Sequence, residues 1–223
     1  MIVSSQKSLG ISQIALTMVW FTLVIYAFFL APPDQPEITF NLIKNLTVGN
    51  WEGINPLIIS LFNLMGIWPL IYCCVIFADG QGQKIPAWLF AIASFAVGAF
   101  AILPYLVWRK PNPEFSGVPN LFIRIWDSKF TALVLMLGAI VLVFYGITQG
   151  DWRDFIYQWQ NSRFIHVMSL DFCLLSVLFP ALLGDDIARR GNQAATWLWL
   201  VTLIPLFGPL LYLCVRSPLC DRL

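Results

Sequence analysis

Six stretches of about twenty apolar residues constrain this chain more than anything else in it: Ile11–Ala31, Pro56–Ala78, Ala87–Trp108, Phe130–Ile147, Phe164–Leu183 and Ala194–Val215. A helix crossing a hydrocarbon layer needs about 20 such residues, and lipid offers no partner to an open backbone. The runs therefore predict an all-α, polytopic membrane helix bundle with six transmembrane helices, a single integral membrane domain over 1–223. Of the 223 residues, 59% are hydrophobic and 11% charged, against roughly 45–50% and 25% in soluble domains. A net charge of +1 excludes nucleic-acid binding driven by phosphate neutralisation. The first run is expected to be a membrane helix and not a signal peptide, because Phe29 stands where cleavage requires a small residue.

Charge is confined almost entirely to the loops, and many of the ten tryptophans fall at run ends, as interfacial anchors do. The Lys/Arg balance does not orient the bundle. With six spans, Lys7, Lys84, Arg153, Arg163, Arg216 and Arg222 share one side, and the other seven basic residues, from Lys44 to Arg190, share the opposite side.

Two pairs of segments suggest an internal repeat. Thr47-Val48-Gly49-Asn50-Trp51 precedes the second run, and Thr148-Gln149-Gly150-Asp151-Trp152 precedes the fifth. Leu103-Pro104-Tyr105, followed by Arg109 and Pro111, closes the third run; Leu210-Leu211-Tyr212, followed by Arg216 and Pro218, closes the sixth, with Asp79 and Asp186 in register. Halves 1–111 and 112–223 of three spans each would be inverted relative to one another, a 3+3 arrangement met in secondary transporters.

Few polar residues lie inside the runs. Asp171 is the sharpest, because a carboxylate at that depth costs at least about 2.5 kcal/mol unless it is paired or functional. It is expected to bind a cation or proton, or to hydrogen-bond Asn63 or Tyr212. His166, the single histidine, would ligate a chlorophyll magnesium or haem iron, or bond a loop carbonyl. In Gly184–Gly191, a continuous helix would pair Asp185 with Arg189 and Asp186 with Arg190 at i,i+4. Those two arginines would then clamp a headgroup, pigment or partner loop, or simply belong to a solvated ion-paired turn. Asp171, Asn63, His166, Arg189 and Arg190 are thus the candidate binding residues. The five cysteines form no C-x-x-C, so no metal set is assigned. The H-E-x-x-H, G-x-S-x-G and P-loop patterns are missing, which assigns no catalytic residue and leans away from an enzyme.

Two stretches, Asn55-Pro56 through Phe62-Asn63-Leu64-Met65-Gly66-Ile67-Trp68-Pro69 to Leu103-Pro104-Tyr105, and Ser162-Arg163-Phe164-Ile165-His166 through Asp171-Phe172, resemble a family of uncharacterised multi-pass membrane proteins of cyanobacteria and plastids. The resemblance implies a cyanobacterial thylakoid or plasma membrane. It also implies a supporting role in assembly, stability or pigment supply beside a complex such as a photosystem. Chlorophyll or carotenoid would be the bound pigment, although no specific motif marks either. The alternative is a small secondary transporter or channel for a small solute or ion, with its site around Asp171.

Overall fold

The computed structural model describes residues 10–115, 118–191, 201 and 203–219. Its regular structure among these is entirely helical. Four helices are long and apolar enough to cross a membrane, as expected of an integral membrane protein: Ile11–Leu30, Pro56–Asp79, Lys129–Gln149 and Arg163–Arg189.

Helix α1 (Ile11–Ile25) ends in a π-helical turn, Tyr26–Leu30. α2 (Pro36–Val48) begins with Pro at its first turn and stops at Gly49, whose left-handed φ of 79° favours a residue without Cβ. α3 (Pro56–Asp79) is capped by the Asn55 side chain, which accepts from the Leu57 N–H at 3.0 Å. Buried residues run along nearly all of its length, so α3 is the central post of the bundle. α7 (Lys129–Gln149) lies antiparallel to it. Ser60 Oγ donates to the Leu142 carbonyl at 2.8 Å, and a Cβ on Gly146 would lie 2.7 Å from Ser60 Oγ. Only glycine permits that approach.

The third apolar run is not one span. It forms α4 (Ala87–Val97) and α5 (Ala99–Trp108), separated by Gly98 at φ 50°, ψ −124°. The two helices fold back on each other. Phe90 packs on Tyr105 and Trp108 at 5.7 and 5.9 Å, and at the base Gln83 exchanges hydrogen bonds of 2.7 and 3.0 Å with the Lys110 backbone. Each arm is about 15 Å long at 1.5 Å per residue, half a hydrocarbon thickness. The run enters and leaves at one end of the bundle. α1 lies antiparallel along its second arm, with Gln13 Nε2 bonded to the Val107 carbonyl and Trp20 Nε1 to that of Phe100.

The second half runs the same way. After α6 (Leu121–Asp127) and α7, α8 (Trp152–Asn161) leads into α9 (Arg163–Leu178) and α10 (Pro180–Arg189). α9–α10 is parallel to α3: Ile58 and Ile59 cluster with Ile165 and Met168 at one end, Tyr72 Oη donates to the Leu175 carbonyl at 2.7 Å, and Arg189 reaches Asp79 at the other end. α11 (Phe207–Val215) returns to the end where α10 stops. The rest of the sixth run, 194–200 and 202, lies outside the described residues.

Among the described residues, four helices and not six have the length to cross a membrane, and an inverted repeat is not confirmed. Among these residues, α1, α2, α3 and α5 run in the same order and direction as α7, α8, α9–α10 and α11. The Gly49-Asn50-Trp51 and Gly150-Asp151-Trp152 likeness is not part of this match, because the first follows α2 and the second precedes α8. One apolar core crosses both halves.

Topology separates the two architectures. In a background with the native cysteines replaced, Gln81→Cys and Glu114→Cys are expected to react with a membrane-impermeant maleimide from the same side. Six crossing helices would put them on opposite sides.

Candidate functional site

At one end of the bundle, the charged end, two matching clusters meet. Tyr105 Oη donates to Asp79 Oδ2 at 2.5 Å across 26 residues, and Tyr212 Oη donates to Asp186 Oδ2 at 2.5 Å across 26 residues. Arg109 reaches Asp79 and Arg216 reaches Asp186, each across 30 residues, at 2.6 and 3.2 Å. Arg189 joins the two clusters, 2.9 Å from Asp79 and 3.5 Å from Asp186. Arg190 pairs with Asp186 at 3.0 Å and with Asp127 at 2.7 Å. Asp185 accepts from Arg109 and from the Asn112 N–H. Four carboxylates thus balance four guanidiniums. Burial alone would lower the pKa of Arg109, but hydrogen bonds and charge from Asp79 and Asp185 outweigh it and hold the group above its ordinary value.

This corrects the reading of Gly184–Gly191 as a solvated turn. The Asp186–Arg190 pair forms, but Arg189 turns to Asp79 and the Asn112 carbonyl, and Asp185 turns to Arg109. Arg189 and Asp186 are almost wholly buried. Both arginines are engaged by internal acceptors, so the cluster works as a staple and not as a clamp for an outside anion.

The far end holds the other candidates. His166 Nδ1 lies 3.0 Å from the Trp159 carbonyl, so Nδ1 carries the proton and Nε2 accepts from Tyr26 Oη at 2.8 Å. With both nitrogens used and the ring stacked 4.4 Å from Trp159, His166 bonds a carbonyl of helix α8 where a loop carbonyl was expected, and ligation of a pigment metal does not fit. Asn63 donates to the Ile59 carbonyl of its own helix at 2.8 Å. It does not meet Asp171, and neither does Tyr212.

Asp171 has a different partner. Its Oδ1 accepts from the Ala99 backbone N–H at 2.8 Å, capping α5 from another helix. The N-terminus of a helix carries partial positive charge and unsatisfied N–H groups, so a carboxylate is favourable there. Gly98 permits the approach, because a Cβ at that position would lie 1.7 Å from Asp171 Oδ2. Asp171, Gly98 and Ser94 form the floor of a cavity of about 620 Å³. Apolar side chains of the π turn, α3, the end of α4 and α9 wall it, including Phe28, Phe62, Met65, Phe95 and Val167. Asp34, Thr39 and Arg163 stand at its far-end mouth, where Arg163 Nε bonds the Pro32 carbonyl at 3.0 Å.

No protein-family model, curated protein or solved structure matches this chain.

Sequence reasoning located Asp171 but missed Gly98, Asp127 and Asn112. Gly98 stands near the middle of an apolar run, where an isolated glycine costs about 1 kcal/mol of helix stability and so asks for a reason. The equal Asp–Tyr–Arg spacings were visible as a repeat, but not as one joined network.

Two stability outcomes follow. Asp186→Asn, which removes one counter-charge shared by three buried guanidiniums, is expected to cost about 3–5 kcal/mol. Asp185→Asn, at a side chain 19% exposed, is expected to cost about 1 kcal/mol, both read by denaturant titration in detergent micelles. Gly98→Ala meets both a positive φ and the Asp171 carboxylate, and is expected to lower the thermal midpoint far more than Gly53→Ala, whose φ is also positive but whose Cβ would meet nothing within 4 Å.

Proposed function

We propose that this is a non-catalytic membrane protein that holds an apolar or amphiphilic molecule in the cavity beside Gly98 and Asp171. In doing so it assists the assembly, stability or pigment supply of a membrane protein complex. The observation that carries this reading is the cavity itself, a mostly apolar space of drug-sized volume with few polar groups at its floor and mouth. The photosynthetic membrane, cyanobacterial thylakoid or plasma membrane, and a photosystem as partner rest on the family resemblance. Chlorophyll or carotenoid would be held by packing, since His166 is committed to Tyr26 and Trp159.

A second reading, a small transporter or channel, is favoured by one observation. A helix broken at mid-depth is how many transporters build a solute site, although here the protein's own Asp171 occupies the N-terminus of the second arm. Against it stand the parallel direction of the halves and the ion-paired network that closes the charged end beneath the hairpin.

Gly66→Leu tests the first reading. A Cβ at Gly66 meets nothing within 4 Å, the position lines the cavity, and replacing glycine inside a helix gains about 1 kcal/mol. The variant is expected to fold and to lose several-fold of whatever apolar molecule mass spectrometry finds in organic extracts of the protein purified in mild detergent. An unchanged extract would sink the reading, and proteoliposome uptake abolished by the same variant would favour transport.

A further inference from the structure

Asp171 is 6% exposed, and only one of its oxygens is spoken for among the described residues. Oδ1 takes the Ala99 N–H, while Oδ2, which lies against Gly98, has no hydrogen-bond partner among those residues; Asp171 itself lines the cavity. The position is unique to one half of the repeat. Leu64 stands relative to Asp79 where Asp171 stands relative to Asp186, so the carboxylate is not a requirement of the shared scaffold.

The surroundings restrict what can sit against it. In its carboxylate form, which the Ala99 N–H at the helix N-terminus favours against the cost of burial, Asp171 only accepts hydrogen bonds. Phe62, Met65, Phe95 and Val167, which also line the cavity, offer no side-chain hydrogen-bond donor. Ser94, the other polar residue of the floor, gives its hydroxyl to the Ala91 carbonyl at 2.7 Å. A molecule filling this space must therefore bring a donor to the floor and an apolar body to the walls. An acceptor-only head would face Oδ2 across a repulsive contact and leave it unpaired, at a cost of a buried polar group.

We propose that the cavity selects a lipophile ending in a hydrogen-bond donor, a hydroxyl or a protonated amine, which bonds Asp171 Oδ2 at the hairpin tip. This ligand class rests on the cavity-binding reading above and narrows it.

The full chain in phosphatidylcholine nanodiscs, exposed to diazirine-bearing hexadecanol, hexadecylamine or hexadecyl methyl ether and irradiated, tests it. Peptides carrying Phe95 and Val167 are expected to take up the alcohol or the amine at least about tenfold more than the ether, the scale of one hydrogen bond to a charged group. Whichever of the two labels more strongly identifies the head. Asp171→Asn retains a carbonyl oxygen for the Ala99 N–H and turns an amide donor to the cavity, so it is expected to reverse the preference towards the ether. Gly66→Leu is expected to suppress labelling by all three. Equal labelling by ether, alcohol and amine overturns the ligand class while leaving the cavity reading intact. Labelling of these peptides by none of the probes, with Gly66→Leu indifferent, overturns both. Should Asp171→Asn fail to fold, the ratio on the native chain still decides.

Discussion

Two carboxylates, Asp79 and Asp186, dictate how this membrane chain can be threaded. Each is wholly buried at the end of an apolar helix, where an unpaired charge would cost several kcal/mol. Their partners Arg109 and Arg216 lie beyond the third and sixth apolar runs. If the third run crossed the bilayer, Arg109 would emerge about 30 Å from Asp79, and both charges would be stranded. Pairing them forces the run to return to the end from which it came. The Gly98 turn makes the return sterically open, and the Asp171 cap satisfies the backbone N–H that the break exposes. Topology here follows from electrostatics, with the apolar lengths only permitting it.

The same network explains why the halves are parallel. Each half brings an Asp, a Tyr and an Arg to one place, and Arg189 ties the places together. An inverted second half would carry its triad to the opposite end and leave Arg189 to serve one carboxylate. Among the described residues each half has two helices long enough to cross, an even number that returns the chain to the second half in the orientation of the first. Pseudo-equivalent elements then have different neighbours: α7 packs tightly on α3 through Gly146 and Ser60. Its counterpart α1 is joined to α9 through the Tyr26–His166 bond of the π turn, and the cavity occupies the gap on the hairpin side. Asymmetry within a symmetric frame creates the space, and Asp171 in place of a leucine furnishes it.

The helical class and the membrane setting could be read from the apolar runs, because length and hydropathy are local properties. The repeat was readable from Asp79, Tyr105 and Arg109 against Asp186, Tyr212 and Arg216, and its direction was not. Direction depends on whether an apolar run crosses or doubles back, and α4–α5 has the length and hydropathy of a crossing helix. Only Gly98 and the need to pair Arg109 argue otherwise, and both are clear only once the partners are known. Asp171 stood out as an anomalous charge. Its partner could not be inferred, since a backbone N–H left free by a break in another helix has no side-chain signature. Arg189 and Arg190 were noticed for their local i,i+4 spacing, yet Arg189 is governed by Asp79, more than a hundred residues away.

A cavity that is blind on one side has a consequence for what a bound molecule can do. Below the hairpin tip, the staple of four carboxylates and four guanidiniums holds α3, α5, α10 and α11 together, and opening a path there would separate several buried pairs at several kcal/mol each. On the other sides the cavity meets the π turn, α9 and the space beside the bundle, where the charged lining residues are Asp34 and Arg163 at the mouth. Entry and exit are therefore far less costly through the apolar flank or the far-end mouth than through the charged end. A molecule admitted from the flank would leave the same way. The proposed holding of a lipophile needs no more than this, whereas a vectorial carrier would have to undo the very pairing that makes the hairpin fold back.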